Sequence, residues 1–117
     1  MFAPEQRRVV GEAMVESLTG RGVELLCLAV GGEHFHLLGR FEHSETRRVI
    51  GLAKLHAYHR LSGEIGQRRI WAKRSRSLPI RDRRHQVNVY AYIMKHRDGG
   101  AWTWSYREGL YWADESG

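Results

Sequence analysis

The sequence has a single cysteine, few prolines and no long apolar run. Cys27 cannot form an intramolecular disulfide, and one thiol cannot build a cysteine-rich zinc site within one chain. The flanking leucines predict that Cys27 is a small core residue. No segment approaches the about 20 apolar residues of a membrane span, and residues 1–10 lack the apolar core of a signal peptide. We therefore expect a cytoplasmic protein with no membrane partner.

Lysine is also scarce, so arginine supplies most of the positive charge. Only 3 of the 19 Lys and Arg residues are lysine, and the net charge is +6. Arginine forms forked contacts with phosphate and stacks on exposed bases. The sequence pI of about 10.0 is typical of a protein with a nucleic-acid partner. A basic surface with no specific partner explains the charge equally well, because net charge does not define a site.

The length of 117 residues suits one domain, residues 1–117, with one core. Apolar periodicity and turn residues predict six elements. These are a helix at 4–20, strands at 23–30 and 34–41, a helix from Ser44 to Ser62-Gly63, an arginine-rich strand at 69–80 and a helix at 82–97. This order predicts an α+β sandwich with a sheet of at least three strands. The aromatic residues after position 100 are expected to pack back on the domain: Trp102, Trp104, Tyr106, Tyr111 and Trp112.

Two histidines alternate with an apolar residue at the start of the second predicted strand. His34 and His36 are at i and i+2, so both imidazoles face the same side and can bind one metal ion. Phe35 and Leu37 point to the other, apolar side. Two histidines on a strand are more often surface or packing residues, and the pair alone does not identify a metal site.

The third predicted helix carries a tyrosine and histidines on one face. His85, Val89, Tyr92 and His96 form a stripe at about 100° per residue, and Tyr92 and His96 are neighbours at i and i+4. The alternative for a lone tyrosine is a packed ring with its hydroxyl at the rim of the core. Tyr90 lies about 200° around the same helix, so only one of the two tyrosines can face the strand histidines.

These residues resemble those of a known family. Residues 32–38, GEHFHLL, resemble the histidine-hydrophobe-histidine (HUH) motif of single-tyrosine transposases, such as the REP-associated tyrosine transposases and their insertion-sequence relatives. Residues 92–96, YIMKH, resemble the tyrosine helix of that family. Residues 67–75, QRRIWAKRS, resemble its segment between the second helix and the third strand. The resemblance runs from about Phe2 to Trp102.

The resemblance implies both an activity and a set of site residues. His34 and His36 would be metal ligands, Tyr92 the nucleophile and His96 the third ligand. The family nicks and rejoins single-stranded DNA through a 5′-phosphotyrosine link. Mg²⁺ or Mn²⁺ is the family's metal, although three imidazoles favour Mn²⁺, Ni²⁺ or Zn²⁺ over Mg²⁺. Tyr92 is preferred to Tyr90 because only Tyr92 has a histidine at i+4.

The resemblance also implies partners and a fold. The family binds single-stranded DNA, often beside a hairpin. We expect five basic residues to contact the DNA backbone: Arg68, Arg69, Lys73, Arg74 and Arg76. The alternative is that these residues form a solvated strand face. The fold would be a ferredoxin-like, RRM-like antiparallel sheet with packed helices, apparently lacking the family's first strand because the chain begins almost at the first helix. An open sheet edge favours pairing of two chains as a homodimer.

Two departures from the family pattern keep other functions open. The family's strand before the first helix is missing, and its Met-Pro-Asn before the first histidine is replaced here by residues 31–33, GGE. One alternative is a decayed or domesticated relative that binds nucleic acid without catalysis. Another is an unrelated zinc hydrolase built on three histidines. His43, His56 and His59 have no partner motif and are interpreted as surface or packing residues.

Overall fold

The computed structural model describes residues 2–65 and 79–107, which form three helices and a small antiparallel sheet of three strands. The elements in chain order are α1 Pro4–Gly20, β1 Glu24–Val30, β2 Phe35–Arg40, α2 Thr46–Ile65, α3 Arg83–Met94 and β3 Trp102–Ser105. A 3-10 turn, His43–Glu45, precedes α2, and a second 3-10 turn, Lys95–Gly99, follows α3. The fold class is therefore α+β.

Local sequence explains where the first and third helices begin and end. Proline stands at the first turn of α1, where its missing N–H costs nothing. Beyond α1, Gly22 has a φ of 86°, a left-handed conformation that glycine adopts without strain. The Asp82 carboxylate caps α3 by accepting the His85 backbone N–H at 2.8 Å.

The sheet has the order β2-β1-β3, and both neighbours run antiparallel to β1. The register pairs Leu25 with Gly39 and Cys27 with Leu38, so Leu26 is an extra residue in a β-bulge. Because of this bulge, Leu26 and Cys27 both pack against the same apolar cluster. Consecutive residues of a regular strand would face opposite sides.

One face of the sheet is covered by α1 and α2 and is largely apolar. We call this the apolar face, and its buried residues include Val10, Ala13, Met14, Leu18, Leu28, Val30, Ala53, Ala57 and Leu61. The strand residues Trp102 and Trp104 pack against the same cluster. Gly11 makes room for Trp102, because a Cβ at Gly11 would overlap the indole ring. The apolar face thus joins the first helix to the last described strand.

The other face of the sheet, which we call the polar face, lies under α3. Its buried cluster is small, consisting of Cys27, Ala29, Leu38 and Ile93. Burial raises the pKa of the Cys27 thiol to about 12, so it stays protonated, and the prediction that Cys27 is a core residue is confirmed. Partly buried apolar residues pack against this cluster, among them Leu26, Val89 and Met94. The strands also place His36, Thr103 and Ser105 on this face, opposite Ala29 and Cys27 of β1.

The helix predictions are mostly confirmed, but three boundaries differ. The second helix begins at Thr46 after a 3-10 turn and ends later than predicted, and the third ends at Met94 and not at 97, because a 3-10 turn follows it. The helix at 4–20 and the cap at Asp82 are as predicted. The second helix continues past Ser62-Gly63 to Ile65. A glycine inside a helix costs only about 1 kcal/mol, which the rest of a long helix can offset.

The strand predictions differ more from the structure. Pro79 and Ile80, at the end of the strand predicted for 69–80, are not in a strand, and residues 66–78 lie outside the described residues. The structure instead forms β3 from Trp102–Ser105, a segment expected only to pack on the domain. Trp102 and Trp104 do pack on it, whereas Tyr111 and Trp112 lie outside the described residues. Throughout residues 2–65 and 79–107, no helix has both the length and the apolar character needed to cross a membrane.

Candidate active site

The strand β2 directs its histidine toward the polar face. Phe35 and Leu37 pack on the apolar face, so His36 between them projects to the side of α3, as the alternation predicts. His36 is half-buried and pairs across the ladder with Ala29 of β1. His34 lies just before β2 and is exposed. The two histidines therefore differ in environment, although the sequence presents them as an equivalent pair.

The helix α3 and the turn after it carry the other ring residues. Ile93 is buried against Cys27, Ala29 and Leu38, which fixes the rotation of the helix. Its neighbour Tyr92 is consequently placed at the rim of the polar face, with 61% of its surface exposed. His96 follows one turn later, in the 3-10 turn Lys95–Gly99.

Three rings from two distant parts of the chain meet at this point. The ring centroids of His36 and His96 lie 4.4 Å apart, with the planes tilted by 33°. The Tyr92 ring is edge-on to both, 5.0 Å from His96 and 6.1 Å from His36. We call Tyr92, His36 and His96 the ring cluster. His36 is 56 residues before Tyr92 and 60 before His96, whereas Tyr92 and His96 are only four residues apart.

Hydrogen bonding fixes one nitrogen of His96. Its Nδ1 lies 3.0 Å from the carbonyl oxygen of Tyr92 and 3.1 Å from that of Ile93. A carbonyl only accepts, so we assign the proton to Nδ1, which donates to the end of α3. In the neutral ring the lone pair is then on Nε2, the nitrogen available to a metal ion.

The environment of His36 favours a neutral imidazole. Burial lowers the pKa of His36, and positive charge on His96 and His34 lowers it further. A neutral ring keeps the lone pair that metal binding requires. The chemistry of His36 and His96 thus fits two ligands of one centre.

A third ligand is not assembled with them. Among the residues that the structure describes, no group of three or more His, Cys, Asp or Glu side chains is placed to hold a metal ion. His34 acts on the pKa of His36 through its charge but is not part of the ring cluster. The geometry therefore pairs His36 with His96, whereas the sequence pattern pairs His36 with His34.

The rival tyrosine, Tyr90, has a different place. It packs against the buried cluster of the polar face, and its hydroxyl hydrogen-bonds the hydroxyl of Ser105 in β3. Its ring is edge-on to Tyr106, with centroids 6.5 Å apart. Tyr90 thus has a structural partner, and Tyr92 is the tyrosine beside the histidines. His85, at the far end of the predicted stripe, accepts the Arg81 backbone N–H through Nδ1.

The basic residues are concentrated in the second half of the chain. Residues 1–65 contain eight Lys and Arg against eight Asp and Glu, whereas residues 66–107 contain eleven against two. The predicted DNA contacts belong to this basic stretch but lie outside the described residues: Arg68, Arg69, Lys73, Arg74 and Arg76. The described part of the stretch, residues 79–107, includes the helix that carries Tyr92.

Arg7, which no sequence motif singles out, links the two loops of the site. The Arg7 side chain of α1 donates from Nε to the Phe2 carbonyl oxygen at 3.0 Å and from Nη1 to the Gly100 carbonyl oxygen at 2.9 Å. The Phe2 N–H donates to the Gly32 carbonyl oxygen at 2.8 Å. Gly32 is in the loop before His34, and Gly100 follows the turn that holds His96. Arg7 therefore ties together the loops on either side of the ring cluster.

Comparisons with protein-family models, with curated proteins and with solved structures found no match to this chain.

Proposed function

We propose that this protein is a metal-dependent nuclease of the single-tyrosine HUH type, which nicks and rejoins single-stranded DNA as a transposase does. The observation that carries the proposal is the ring cluster, in which a helix tyrosine stands edge-on to two histidines at a separation of 5.0 and 6.1 Å. In this proposal the α+β fold is the ferredoxin-like fold of that family.

Tyr92 has the position that a nucleophile needs. Its side chain is 61% exposed, so a DNA strand can reach the hydroxyl without opening the fold. In the proposed reaction the Tyr92 oxygen loses its proton to solvent and attacks phosphorus. The bond from phosphorus to the 3′ oxygen breaks, and that oxygen leaves as a 3′-hydroxyl after taking a proton from water. The strand that follows the break stays joined to Tyr92 through its 5′ phosphate, and the reverse reaction rejoins the strands.

His36 and His96 would hold the divalent metal, and His34 remains the expected third ligand. When bound, the metal would supply Lewis-acid stabilisation of the charge on the scissile phosphate. Imidazole ligands suit Mn²⁺, Ni²⁺ or Zn²⁺ better than Mg²⁺. The chain itself orients the centre, because the end of α3 accepts the His96 Nδ1 proton and thereby directs Nε2 away from the helix.

The proposal includes the partners expected from the sequence. Single-stranded DNA near a hairpin would bind along the basic stretch, and the protein would work in the cytoplasm. Within the described residues, the outer edges of β2 and β3 have no paired strand, which favours a homodimer joined through a sheet edge. Light scattering of the purified protein distinguishes a dimer from a monomer.

A covalent adduct assay tests the reaction. The protein is incubated with single-stranded oligonucleotides of random sequence that carry a 3′ label, with Mn²⁺ or with a chelator, and is then resolved on a denaturing gel. We expect a labelled protein band with Mn²⁺ and none with the chelator. The label must be at the 3′ end, because the strand that stays on Tyr92 is the one after the break. A 5′ label should be released with the 3′-hydroxyl strand.

The matched variants are Tyr92→Phe and Tyr90→Phe. We expect Tyr92→Phe to abolish the adduct and Tyr90→Phe to retain it, since Tyr90 contacts Ser105 and not the histidines. An adduct that persists in Tyr92→Phe refutes the assignment of Tyr92 as the nucleophile. Binding with no adduct in the unaltered protein would favour the non-catalytic nucleic-acid-binding relative. Metal-dependent cleavage with no adduct would favour the three-histidine hydrolase.

A further inference from the structure

Three exposed residues follow one another along the outer side of α3, the side turned away from the sheet. Ile93 is buried against the sheet, and Arg84, nine residues earlier, lies about 180° from it around the helix. Asn88 and Tyr92 follow Arg84 at steps of four residues, so the three side chains are neighbours on one helix surface. All three are exposed. We call Arg84, Asn88 and Tyr92 the outer stripe.

The two polar side chains that precede Tyr92 in the outer stripe are not used by the fold. Within residues 2–65 and 79–107, neither the Arg84 guanidinium nor the Asn88 amide takes part in a hydrogen bond or an ion pair. By contrast, four exposed arginines of α1, β2 and α2 are each paired with a glutamate: Arg8, Arg40, Arg48 and Arg60. The charge and the N–H donors of the outer stripe are therefore available to an anionic ligand.

A histidine beside Arg84 adds to the donors at the start of α3. The Nδ1 of His85 accepts the Arg81 backbone N–H, so in the neutral ring the proton is on Nε2. This is the opposite tautomer to the one assigned to His96. Phosphate oxygens need N–H donors, whereas a metal ion needs a lone pair, so the start of α3 suits a phosphate and the end of α3 suits a metal.

The spacing of the outer stripe suits a strand with several phosphates. Arg84 is eight residues before Tyr92, which is about 12 Å along the helix axis, and Asn88 lies midway. A hydrogen bond from nitrogen to oxygen is only about 3 Å long. A single phosphate at Tyr92 is too small to span this separation, whereas successive phosphates of one nucleic-acid strand lie along it.

We propose that the outer stripe is a track for the backbone of single-stranded DNA, in which Arg84 and Asn88 bind phosphates to one side of the phosphate that Tyr92 attacks. This inference rests on the proposed function, because it takes Tyr92 as the end of the track. The strand reaches the site over the exposed side of α3. It needs no space between α3 and the sheet, where Ile93 and Val89 pack against the buried cluster.

The salt dependence of binding tests the track without any chemistry. Fluorescence anisotropy of a labelled oligo(dT) is measured in chelator across a salt series for the unaltered protein and for Arg84→Gln. For single strands each neutralised phosphate contributes about 0.7 to the slope of log affinity against log salt concentration. We expect Arg84→Gln to lose about 0.7 of slope. Its binding at low salt should be about tenfold weaker, since a hydrogen bond to a charged group is lost.

Arg83→Gln is the matched control for net charge. Arg83 is the next residue along the chain and is also exposed, but it lies about 180° from Tyr92 around the helix. The charge change is the same, and we expect the slope to stay almost unchanged. Thermal unfolding followed by circular dichroism should be the same for both variants as for the unaltered protein. Equal losses of slope in Arg84→Gln and Arg83→Gln overturn the inference.

A second variant tests the middle of the track. Asn88→Asp replaces an amide that can donate by a carboxylate of similar shape that only accepts and that repels phosphate. We expect it to weaken oligo(dT) binding at least as much as Arg84→Gln does, although its charge change equals that of Arg83→Gln. Binding by Asn88→Asp as tight as that of Arg83→Gln would remove Asn88 from the track.

The adduct assay then shows which flank of the nicked bond lies on the track. Once the nicked bond is mapped, a neutral methylphosphonate is placed at each nearby linkage in turn. We expect methylphosphonates on one flank to slow adduct formation by the unaltered protein and to have no added effect in Arg84→Gln. Equal slowing of both proteins at every linkage contradicts the assignment.

The two assays also separate the track from the nuclease function. If the unaltered protein forms no adduct while Arg84→Gln alone loses slope, the proposed nuclease function fails and the DNA track stands. If the adduct forms and the slopes of Arg84→Gln and Arg83→Gln are equal, the track fails and the nuclease function stands.

Discussion

The two faces of the sheet bury side chains of different character. The apolar face is packed by two helices, and its cluster includes Met14, Leu18, Leu28 and Leu61, all fully buried. The polar face has one helix and a much smaller buried cluster. Beside that cluster, His96, Thr103 and Ser105 form hydrogen bonds, and the ring of His36 packs against that of His96. Buried apolar area is the main source of folding stability. We infer that the apolar face holds the fold together and that the polar face is thereby free to carry a site.

The largest expected effect compares one leucine on each face. Leu28→Ala should destabilise the protein by about 3–5 kcal/mol, because Leu28 has no exposed surface and lies in the larger cluster. Leu38→Ala, in the smaller cluster and 5% exposed, should cost about 2 kcal/mol, near the low end for this substitution. Urea unfolding followed by circular dichroism gives both free energies of unfolding. A larger decrease in the free energy of unfolding for Leu38→Ala than for Leu28→Ala would contradict our interpretation of the two faces.

A second comparison uses two glycines in α1 and α2, the helices that cover the apolar face. Gly11→Ala should destabilise by about 1–3 kcal/mol, since the added methyl overlaps Trp102 and must displace it. Gly51→Ala is the control, because no atom lies within 4 Å of a Cβ there. It should stabilise by about 0.5–1 kcal/mol through the better helix propensity of alanine. Thermal unfolding measures whether each substitution raises or lowers the stability of the protein. Destabilisation by Gly51→Ala of the same size would show that the Trp102 contact is not the cause.

A third prediction concerns the link that Arg7 makes between the two loops of the site. Arg7→Met removes the hydrogen bonds to Phe2 and Gly100, so both site loops should loosen. Hydrogen exchange should accelerate at the Ala101 amide, which donates to the His96 carbonyl oxygen. Adduct formation should slow by about tenfold, which corresponds to about 1.4 kcal/mol in the barrier. Arg8→Met, next to it on the exposed side of α1, is the control and should change neither measurement.

The smallest expected effect is on the outer surface of α1. The hydrogen bond and charge of Arg60 lower the pKa of Glu16, and His56 adds to this. A carboxylate with a lowered folded-state pKa stabilises the protein at neutral pH, and this contribution is lost as pH falls below the ordinary value of 4.5 and through the lowered one. Glu16→Gln should therefore unfold slightly more easily at pH 7 and like the unaltered protein in acid. A difference that grows with acidity would contradict this sign.

The sequence was sufficient for the features that depend on near neighbours. Proline at the start of α1, the aspartate cap of α3 and the alternation around His36 each act within a few residues, so these predictions are confirmed. The strand β3 was not predicted because Trp102–Ser105 is only four residues long and is specified by pairing with β1. Such long-range pairing leaves little trace in local spacing.

The candidate site also combines features that depend on near neighbours with features that depend on long-range contacts. The spacing puts Tyr92 and His96 on one helix face, but it does not tell which strand residue they meet. That meeting depends on how Ile93 fits the buried cluster of the polar face. The role of Arg7 depends on the backbone carbonyl oxygen that it contacts at Gly100, and no residue pattern shows that contact. The contributions of residues 66–78 to DNA binding stay predictions.

The β-bulge in β1 has a consequence for how the chain tolerates length changes. Leu26 and Cys27 face the same side, while Leu25 and Leu28 face the other. Deleting either Leu26 or Cys27 would restore strict alternation and leave each remaining side chain of β1 on its present face. Deleting Leu28 or Ala29 would instead turn one end of the strand over. A one-residue gap in an alignment of relatives is therefore expected at Leu26 or Cys27, and a chain carrying that gap would keep the side chains of β1 on both faces of the sheet as they are.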